Sequence, residues 1–310
     1  MILVTGGRGP LGSAFQEIKV AEKSSNYLFP TSNDVDLTIA NRLQDYVESS
    51  SHKDIQGIIH LAAFSGGAQL SKDRPAEMIT KNLLMAINIL EFARLNQVKR
   101  VILCLSTTCY SPELISPDED QLHVKPSNGV DYAYAWAKRS MEPLMKAYNQ
   151  QYGLEVSCVV INGIIGPGMN FTEGQMILPA ALIQRFESER HSLSPNFSIL
   201  TDGSEIREYT YSYDLARAID WCFHNQAPDT VLNIGSTEQV TVRFAAEKIA
   251  DCLGIEIDLL RFGNKELISR AIQSTDNSRF RDLSGFQYTN FQEAITKTVE
   301  WYLTSRCKDE

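Results

Sequence analysis

Short apolar runs alternate with longer amphipathic segments along most of this chain. The apolar runs have the length of buried strands and cover residues 2–4, 27–29, 57–61, 100–105, 155–161 and 231–234. The other segments have helical periodicity and cover a stretch from residue 10, then 37–47, 75–96, 131–152, 173–190, 215–224, 242–253 and 291–303. Because strands that are apolar throughout are typical of parallel sheets covered on both faces, we predict an α/β fold with a Rossmann-type, doubly wound parallel sheet.

Composition narrows the range of partners. The chain has 310 residues and a formal net charge of -9, which argues against a nucleic-acid partner because phosphates require a basic surface. The six cysteines show neither CxxC spacing nor a histidine cluster, so we expect neither a metal site nor a disulfide framework. A strand-like run follows Met1 directly, and no apolar run approaches ~18 residues. We therefore expect a cytoplasmic protein without a membrane partner.

A glycine-rich turn connects the first predicted strand to the first helix. Gly6, Gly9 and Gly12 form a GxxGxxG pattern, with the helix beginning near Pro10. Glycine in such a turn adopts positive φ, lets a pyrophosphate approach the backbone and allows the helix to pack closely on the strand. The pattern favours dinucleotide binding, and a tight strand-helix turn without a ligand is the alternative.

The second predicted strand indicates which dinucleotide is preferred. An acidic residue at its end would bind the adenosine ribose of NAD, but residues 30–33 contain no carboxylate. Arg8, inside the glycine turn, is suited to the ribose 2′-phosphate of NADP, although a solvated loop charge is also possible. We therefore predict NADP(H).

A tyrosine and a lysine lie one helical turn apart in the segment 131–152. Tyr134 and Lys138 project from the same helix face, where the ammonium would lower the pKa of the phenol and suit it to proton transfer at neutral pH. A YxxxK pair is common by chance, so its context matters. Thr107 follows the strand 100–105 at the end where parallel sheets bind ligands, and the small Ala62 and Ala63 follow the strand 57–61.

Together, the glycine turn, the strand-end hydroxyl and the YxxxK helix resemble the extended short-chain dehydrogenase/reductase superfamily. The resemblance implies that Tyr134 donates a proton, that Thr107 hydrogen-bonds the reacting oxygen and that Lys138 holds the nicotinamide ribose. The loop 162–168 resembles the family segment PxNxYGP, with Val160 and Ile165 replacing its Pro and Tyr. The cofactor-binding residues implied by the resemblance are Gly6, Gly7, Arg8, Gly9, Leu11, Gly12, Ala62, Ala63, Leu105, Lys138, Val160 and Gly163.

The same resemblance divides the chain into two interleaved domains. Residues 1–162, with about 210–236, are expected to form the NADP-binding Rossmann domain. Residues 163–209 and 237–310 are expected to form a smaller C-terminal domain that binds the substrate.

Within the superfamily, the segment after the fourth strand narrows the choice. A 4,6-dehydratase of nucleotide sugars would carry an acidic pair there, whereas residues 105–112 read LSTTCYSP and resemble the GSSCxYP of the GDP-L-fucose synthase family. Segments 148–153, 166–171, 178–180 and 203–208 follow that family's order. The resemblance implies that Cys109 is catalytic, that Arg185 and Arg207 hold a nucleotide diphosphate and that Asn162 lines the sugar site.

The chain departs from that family at two positions. The family's catalytic histidine is expected just before residues 178–180, but residues 174–177 read GQMI. Gln273 stands where a basic residue is expected before Asp276, which loosens the assignment of GDP. Cys109 is a candidate for one of the two proton-exchanging groups that epimerisation requires, and the second group is missing unless water or a distant residue such as His191 replaces it.

Three functions remain open from the sequence. The leading hypothesis is an NADPH-dependent 4-ketoreductase of a GDP-4-keto-6-deoxy-hexose, without 3,5-epimerisation. The alternatives are the bifunctional 3,5-epimerase/4-reductase and a non-catalytic NADP-sensing protein. Related enzymes pair through two helices, which correspond here to 75–96 and 131–152, so we also expect a homodimer.

Overall fold

A parallel six-stranded sheet forms the centre of the computed structural model, which describes residues 1–50, 54–125, 129–265 and 274–306. The strand order is β2-β1-β3-β4-β5-β9, and every neighbouring pair is parallel. The predicted Rossmann-type α/β fold is therefore confirmed. These strands are β1 (Ile2–Thr5), β2 (Tyr27–Leu28), β3 (Gly57–His60), β4 (Arg100–Ser106), β5 (Glu155–Ile161) and β9 (Val231–Ile234).

Helices cover both faces of this sheet, because its central strands are apolar on both sides. One face packs against α2, α4 and α6, and the other packs against α1, α8 and α10. The helices are α1 (Pro10–Ala21), α2 (Arg42–Ser49), α3 (Ala68–Asp73), α4 (Pro75–Leu95), α5 (Tyr132–Arg139), α6 (Met141–Tyr152), α7 (Leu178–Glu189), α8 (Ser212–Asn225), α9 (Val242–Cys252), α10 (Ser278–Ser284) and α11 (Phe291–Arg306). None of the helices in the described ranges is long and apolar enough to span a bilayer.

A second core lies outside the central sheet. It joins α7, α9 and α11 to a three-stranded sheet of order β10-β8-β6. A parallel pair, β7 and β11, lies beside it. These strands are β6 (Gly163–Ile165), β7 (Ser198–Ile199), β8 (Ile206–Tyr211), β10 (Gln239–Thr241) and β11 (Arg261–Phe262).

Three helices differ most from the prediction, each for a local reason. The helix expected at 37–47 begins at Arg42, because Asn41 has a φ of 65° and cannot be its first turn. The helix expected at 131–152 is two helices joined at Ser140, because Pro143 removes an amide donor and its ring clashes with the carbonyl four residues earlier. The helix expected at 173–190 begins at Leu178, since Gly174 has a φ of 76°.

Buried polar side chains tie the central sheet to the second core. Asn162, directly after β5, accepts a hydrogen bond from Thr210 Oγ1 (2.6 Å) and donates one to the Ser236 carbonyl (2.7 Å). The neighbouring Glu208 carboxyl accepts hydrogen bonds from the Thr275 backbone N–H (3.0 Å) and hydroxyl (3.2 Å). Burial raises the pKa of Glu208 to about 7, against an ordinary value of 4.5.

This raised pKa gives a prediction for stability. The native state holds the Glu208 proton more tightly than the unfolded chain, so its contribution is fully present below pH 4.5 and is lost as pH rises to about 7. We expect Glu208→Gln, which stays neutral, to gain on the order of 2 kcal/mol relative to the native protein between pH 5 and pH 8. Urea unfolding of both proteins at the two pH values measures this difference. An equal difference in free energy of unfolding at both values would contradict the assignment.

Candidate active site

The glycine turn after β1 has the geometry that dinucleotide binding requires. Gly6 has a φ of 77°, and its carbonyl accepts a hydrogen bond from the Gly9 N–H at 3.0 Å. A Cβ at Gly12 would lie 2.2 Å from the Gly6 carbonyl oxygen, and a Cβ at Gly6 would lie 2.8 Å from the Ala62 nitrogen. Both positions therefore exclude a side chain, and the turn approaches the loop after β3 closely.

Helix α1 begins directly behind this turn. Gly9 is its N-cap residue and provides no side-chain cap, and Pro10 is in the first helical turn. The first backbone N–H groups of a helix, together with its dipole, favour a bound anion. The glycine turn (residues 6–9) and the first turn of α1 form a cradle that therefore fits the pyrophosphate of a dinucleotide.

Arg8 is exposed at the rim of the turn, beside the loop that follows β2. Asp34 in that loop accepts hydrogen bonds from the Thr31 N–H and hydroxyl, both at 2.7 Å. These bonds, and to a smaller extent the Arg8 charge, hold the pKa of Asp34 below its ordinary value. The sequence analysis missed this carboxylate because it lies beyond residues 30–33 and approaches Arg8 only through the fold of the loop.

The loop after β3 forms the opposite wall of the cradle. Ala62 is partly buried and Ala63 is exposed, as small residues beside a cofactor would be. The buried Asn82 of α4 holds the next residue, since it accepts from the Phe64 N–H (3.1 Å) and donates to the Phe64 carbonyl (2.8 Å). An asparagine inside an apolar helical pattern was the signal for this role, and the sequence analysis did not use it.

The tyrosine and lysine predicted to be catalytic lie on α5, which packs against the end of β4. Tyr134 is partly buried and packs against the apolar cluster that includes Met78 and Ala133. Lys138 is buried, and its Nζ donates to the Cys104 carbonyl at 2.8 Å. The same Nζ lies 5.9 Å from the centre of the Tyr134 ring. The structure therefore brings the two residues together as their spacing predicts.

The expected lowering of the Tyr134 pKa is wrong for this structure. Desolvation disfavours the phenolate and raises the pKa of Tyr134 well above its ordinary value. Lys138 does not offset this effect, because its hydrogen bond goes to a backbone carbonyl rather than to the phenol. Tyr134 is accordingly protonated at neutral pH, which is the state that a proton donor requires.

Thr107 and Cys109 occupy a short 3₁₀ turn (Thr107–Cys109) that follows β4. The Ser106 side chain caps this turn by accepting from the Thr108 N–H at 3.3 Å. Thr107 is buried beside α5, and Cys109 is 1% exposed and belongs to the core of the sheet. Burial raises the pKa of the Cys109 thiol to about 11, so it is not a thiolate at neutral pH.

Several other predicted cofactor-binding residues have buried side chains. Leu11, Leu105 and Val160 belong to the cores on the two sheet faces, so their side chains are not available to a cofactor. Gly7 lies against Phe29, and a Cβ there would be 3.3 Å from it. A Cβ at Gly163 would be 2.8 Å from the Tyr209 ring, so this glycine serves the packing of β6 on β8.

The predicted substrate-binding residues lie in three different settings. Asn162 is at the carboxyl end of β5, with its amide engaged by Thr210 and Ser236. Arg207 on β8 is partly buried, and its Nη1 donates to the preceding carbonyl at 2.8 Å. Arg185 on α7 is exposed and borders a groove whose other lining residues are Phe171, Gln184, Ser188, Glu189 and Tyr302. The structure therefore places Arg185 among residues that belong to no other part of the predicted site.

The segment that lacks the family histidine packs against the loop before α3. The Gln175 carbonyl accepts from the Gly67 N–H at 3.1 Å, and a Cβ at Gly67 would be 2.5 Å from the Met176 carbonyl. His191, considered as a substitute, follows the C-terminal end of α7, where its exposed side chain lies 3.4 Å from Glu187. His191 lies about 18 Å along the helix axis from Leu178, which is too far for it to replace a histidine expected just before Leu178. Gln273 lies outside the described residues.

The fold and this constellation define a dinucleotide-binding oxidoreductase of the short-chain type. The family model described as "NAD dependent epimerase/dehydratase family" matches residues 2–235. The chain therefore belongs to that family.

Individual relatives match nearly the whole chain. A GDP-L-fucose synthase from Dictyostelium discoideum is 26% identical over 97% of this chain and 95% of its own length. The crystal structure of a GDP-L-fucose synthetase from Naegleria fowleri bound to NADP is 28% identical, with a TM-score of 0.90, and covers 98% of this chain and 93% of that one. A GDP-6-OMe-4-keto-L-xylo-heptose reductase from C. jejuni shares the fold, with a TM-score of 0.88 and 21% identity over 98% of this chain and 97% of that one.

These comparisons confirm two expectations from the sequence. The chain is similar to GDP-L-fucose synthases within the extended short-chain dehydrogenases/reductases, and it is an NADP-dependent oxidoreductase. The roles of individual residues, in contrast, stay predictions.

Replacement of Tyr134 tests the predicted proton donor. Tyr134→Phe keeps the packing of the ring and removes its hydroxyl, so we expect turnover to fall by at least ~10²-fold while the Kd for NADPH changes little. Tyr132→Phe, two residues earlier on the exposed side of α5, is the matched control and should retain the native rate. Native turnover in Tyr134→Phe would show that another group donates the proton.

Replacement of Arg8 tests the preference for NADP(H). We expect NADPH to bind more tightly than NADH, and Arg8→Ala to lower this preference by about 1 to 3 kcal/mol of charge-assisted bonding. Asp34→Asn, which removes the neighbouring negative charge, should preserve or increase the preference. Calorimetric titration of the three proteins with both cofactors measures it, and equal dissociation constants in the native protein would refute the role of Arg8.

Proposed function

We propose that this chain is an NADPH-dependent 4-ketoreductase that acts on a GDP-4-keto-6-deoxy-hexose and leaves C3 and C5 unchanged. The proposal depends on the contrast between two parts of the predicted site. A protonated Tyr134 lies beside Lys138 at the strand ends, whereas residues 174–177 bring no group that exchanges protons at neutral pH.

The class of substrate can be assigned without knowing which sugar it carries. The relatives from D. discoideum and N. fowleri are named for GDP-L-fucose synthesis, and both match along almost all of this chain. The chain accordingly acts on a nucleotide sugar. GDP is the proposed nucleotide because the matching segments around residues 105–112 and 203–208 are those of that family.

Different residues of the site are proposed to bind different parts of the cofactor. The glycine turn and the first N–H groups of α1 would bind its pyrophosphate, and Arg8 would bind the ribose 2′-phosphate. Lys138 would hold the nicotinamide ribose. When bound, NADPH supplies the hydride that reduces C4.

Thr107 and Tyr134 act on the ketone oxygen of the substrate. The Thr107 hydroxyl donates a hydrogen bond to O4 and orients it, and the Tyr134 phenol passes its proton to O4 as the alcohol forms. The ammonium of Lys138, 5.9 Å from the centre of the Tyr134 ring, retains two N–H donors beyond its bond to Cys104, and one of them would reach the phenolate once it forms. Desolvation of Tyr134 keeps its proton in place until that moment.

At the other end of the substrate, Arg207 is proposed to hold the diphosphate. Arg207 is partly buried, and among the described residues its guanidinium donates to one backbone carbonyl, so it retains donors for phosphate oxygens. Arg185 is proposed as a second contact, although its groove on α7 supports it less directly. Asn162 is proposed to line the sugar site from the carboxyl end of β5.

The burial of Cys109 supports reduction without epimerisation. Epimerisation at C3 or C5 needs one group to remove a proton from carbon and another to return one on the opposite face. Cys109 holds its proton, with a pKa of about 11, and Gln175 and Met176 have none to exchange.

Hydrogen exchange in D₂O tests this point. In the absence of NADPH, we expect the native protein to introduce deuterium at C3 or C5 of GDP-4-keto-6-deoxy-mannose far more slowly than it reduces C4. Met176→His supplies the missing exchangeable group and should increase exchange, whereas Met176→Gln is the control and should not. NMR measures the deuterium at each carbon, and exchange by the native protein at the rate of reduction would defeat the proposal.

The bifunctional 3,5-epimerase/4-reductase is the second candidate. Its support is the match to GDP-L-fucose synthases over nearly the full length of the chain. The non-catalytic sensor has no comparable support, because the chain retains Thr107, Tyr134 and Lys138 together and a sensor would need only the dinucleotide cradle.

We also propose that the protein is a homodimer that pairs through α4 and through α5 and α6, the helices expected from the sequence. Tyr148 on α6 donates to Glu91 on α4 at 2.6 Å, so the two helices present one continuous surface. Leu84, Leu95 and Tyr152 leave apolar area exposed there. We expect light scattering at micromolar concentration to give a mass near twice 34.8 kDa, and a monomeric mass would contradict the proposal.

A further inference from the structure

Tyr110 directly follows the 3₁₀ turn Thr107–Cys109. Its side chain is completely buried, and its hydroxyl donates a hydrogen bond to Asn233 Oδ1 at 2.6 Å. Asn233 lies on β9, two positions from β4 in the order of the central sheet. The end of the turn is therefore tied to a strand that carries none of the residues predicted to be catalytic.

Asn233 is completely buried, and its side-chain amide bonds to three separate segments of the chain. Its Nδ2 donates to the carbonyls of Pro117 (3.1 Å) and Asp276 (2.8 Å), while Oδ1 accepts from Tyr110. The orientation of the amide follows from these partners, because the two carbonyls can only accept and the oxygen is left to face the phenol. Removal of any of these bonds would leave a buried polar group unsatisfied.

The backbone of Asn233 holds the same loop at a further point. Its N–H donates to Glu119 Oε1 at 2.8 Å, and Glu119 begins the short 3₁₀ turn Glu119–Gln121. Pro117 and Glu119 both belong to the loop that continues from Tyr110. Asn233 therefore bonds to this loop at residues 110, 117 and 119.

Asp276 belongs to a different part of the chain. It lies within residues 237–310, which the sequence predicts to contribute to the substrate domain. Its carbonyl accepts from Asn233, and its own N–H donates to the Pro117 carbonyl at 3.0 Å. The loop after β4, the strand β9 and this C-terminal segment thus meet at one buried amide.

We propose that Asn233 is a positioning residue for the Thr107–Cys109 turn. Acting through Tyr110, it fixes the end of the turn on the central sheet, and through Asp276 it joins the loop of that turn to the C-terminal segment. The catalytic consequence rests on the proposed ketoreductase function, in which Thr107 orients O4. The anchoring of the turn does not depend on that function.

Apolar packing alone does not account for the pair of polar groups. A phenylalanine would fill nearly the same space as Tyr110 without the cost of burying a hydroxyl. The bond to Asn233 offsets that cost and, because hydrogen bonds are directional, it also fixes the position of the loop. A role in stability only would leave the turn in place when the hydroxyl is removed.

The first test needs neither cofactor nor substrate. Cys109 in the turn is 1% exposed, and Cys104, Cys158 and Cys222 are buried elsewhere around the central sheet. Alkylation of a buried thiol requires local opening of the fold. We expect Tyr110→Phe to increase the rate of Cys109 alkylation by iodoacetamide at least ~10-fold, because one buried hydrogen bond no longer opposes opening of the turn. Mass spectrometry of the peptides should show native rates at the other three thiols.

Tyr27→Phe is the matched control. The Tyr27 hydroxyl also donates a hydrogen bond across the fold, to Asp220 at 2.8 Å, but Tyr27 lies on β2, at the opposite edge of the sheet from β9. This variant should have a lower Tm and a native rate of Cys109 alkylation. A native rate at Cys109 in Tyr110→Phe, or equal acceleration at all four buried thiols, would overturn the proposal whatever the enzyme's substrate is.

The second test uses the 4-keto sugar and NADPH. Well below its Tm, Tyr110→Phe should have a kcat lowered by ~10-fold and a native Kd for NADPH, because Thr107 no longer holds O4 in place. If Asn233 acts through Tyr110, adding Tyr110→Phe to Asn233→Leu should lower kcat by less than ~2-fold further. Additive losses in the double variant would show that Asn233 does not act through Tyr110.

The two tests fail in different ways. A native kcat in Tyr110→Phe together with faster alkylation of Cys109 would show that the turn is anchored but need not be positioned for catalysis, which would overturn the positioning role. If Asn233→Leu fails to fold, the comparison of Tyr110→Phe with Tyr27→Phe decides. A native enzyme that does not reduce the 4-keto sugar would refute the proposed function and leave the alkylation result valid.

Discussion

The layout of the active site depends on one buried ammonium. Lys138 is 2% exposed and directs Nζ to the Cys104 carbonyl, which fixes α5 against the end of β4. A buried charge is costly unless polar groups satisfy it, so the strand ends around it must offer acceptors. The Cys104 carbonyl at the end of β4 meets part of that requirement, at 2.8 Å from the ammonium nitrogen. Tyr134, one turn earlier on the same helix, takes its position from this anchor.

A second constraint is the close approach of backbone segments around the cradle. The glycine turn approaches the loop after β3, and Asn82 and Thr5 hold that loop from two sides. The glycine turn and α5 therefore contact the same loop, since Phe64 packs with Tyr134 and Ala133. Asn162 connects the end of β5 to the second core through its hydrogen bonds with Thr210 and Ser236.

The sequence predicted best those features that local pattern determines. The strands at 155–161 and 231–234 have the predicted bounds, because apolar runs buried on both faces leave little ambiguity. The pairing of Tyr134 with Lys138 also follows from helical spacing alone. Features that arise only in three dimensions were missed or wrong: the pKa of Tyr134 depends on desolvation by distant segments, and Asp34 approaches Arg8 through a loop.

The proposed reaction reduces C4 of a GDP-4-keto-6-deoxy sugar and leaves C3 and C5 unchanged. Incubation of the native protein with GDP-4-keto-6-deoxy-mannose and NADPH, followed by NMR of the product, tests this proposal. We expect oxidation of NADPH and a single 4-hydroxy product with the configuration of the starting sugar at C3 and C5. A product inverted at C3 and C5, or no oxidation of NADPH, would contradict it.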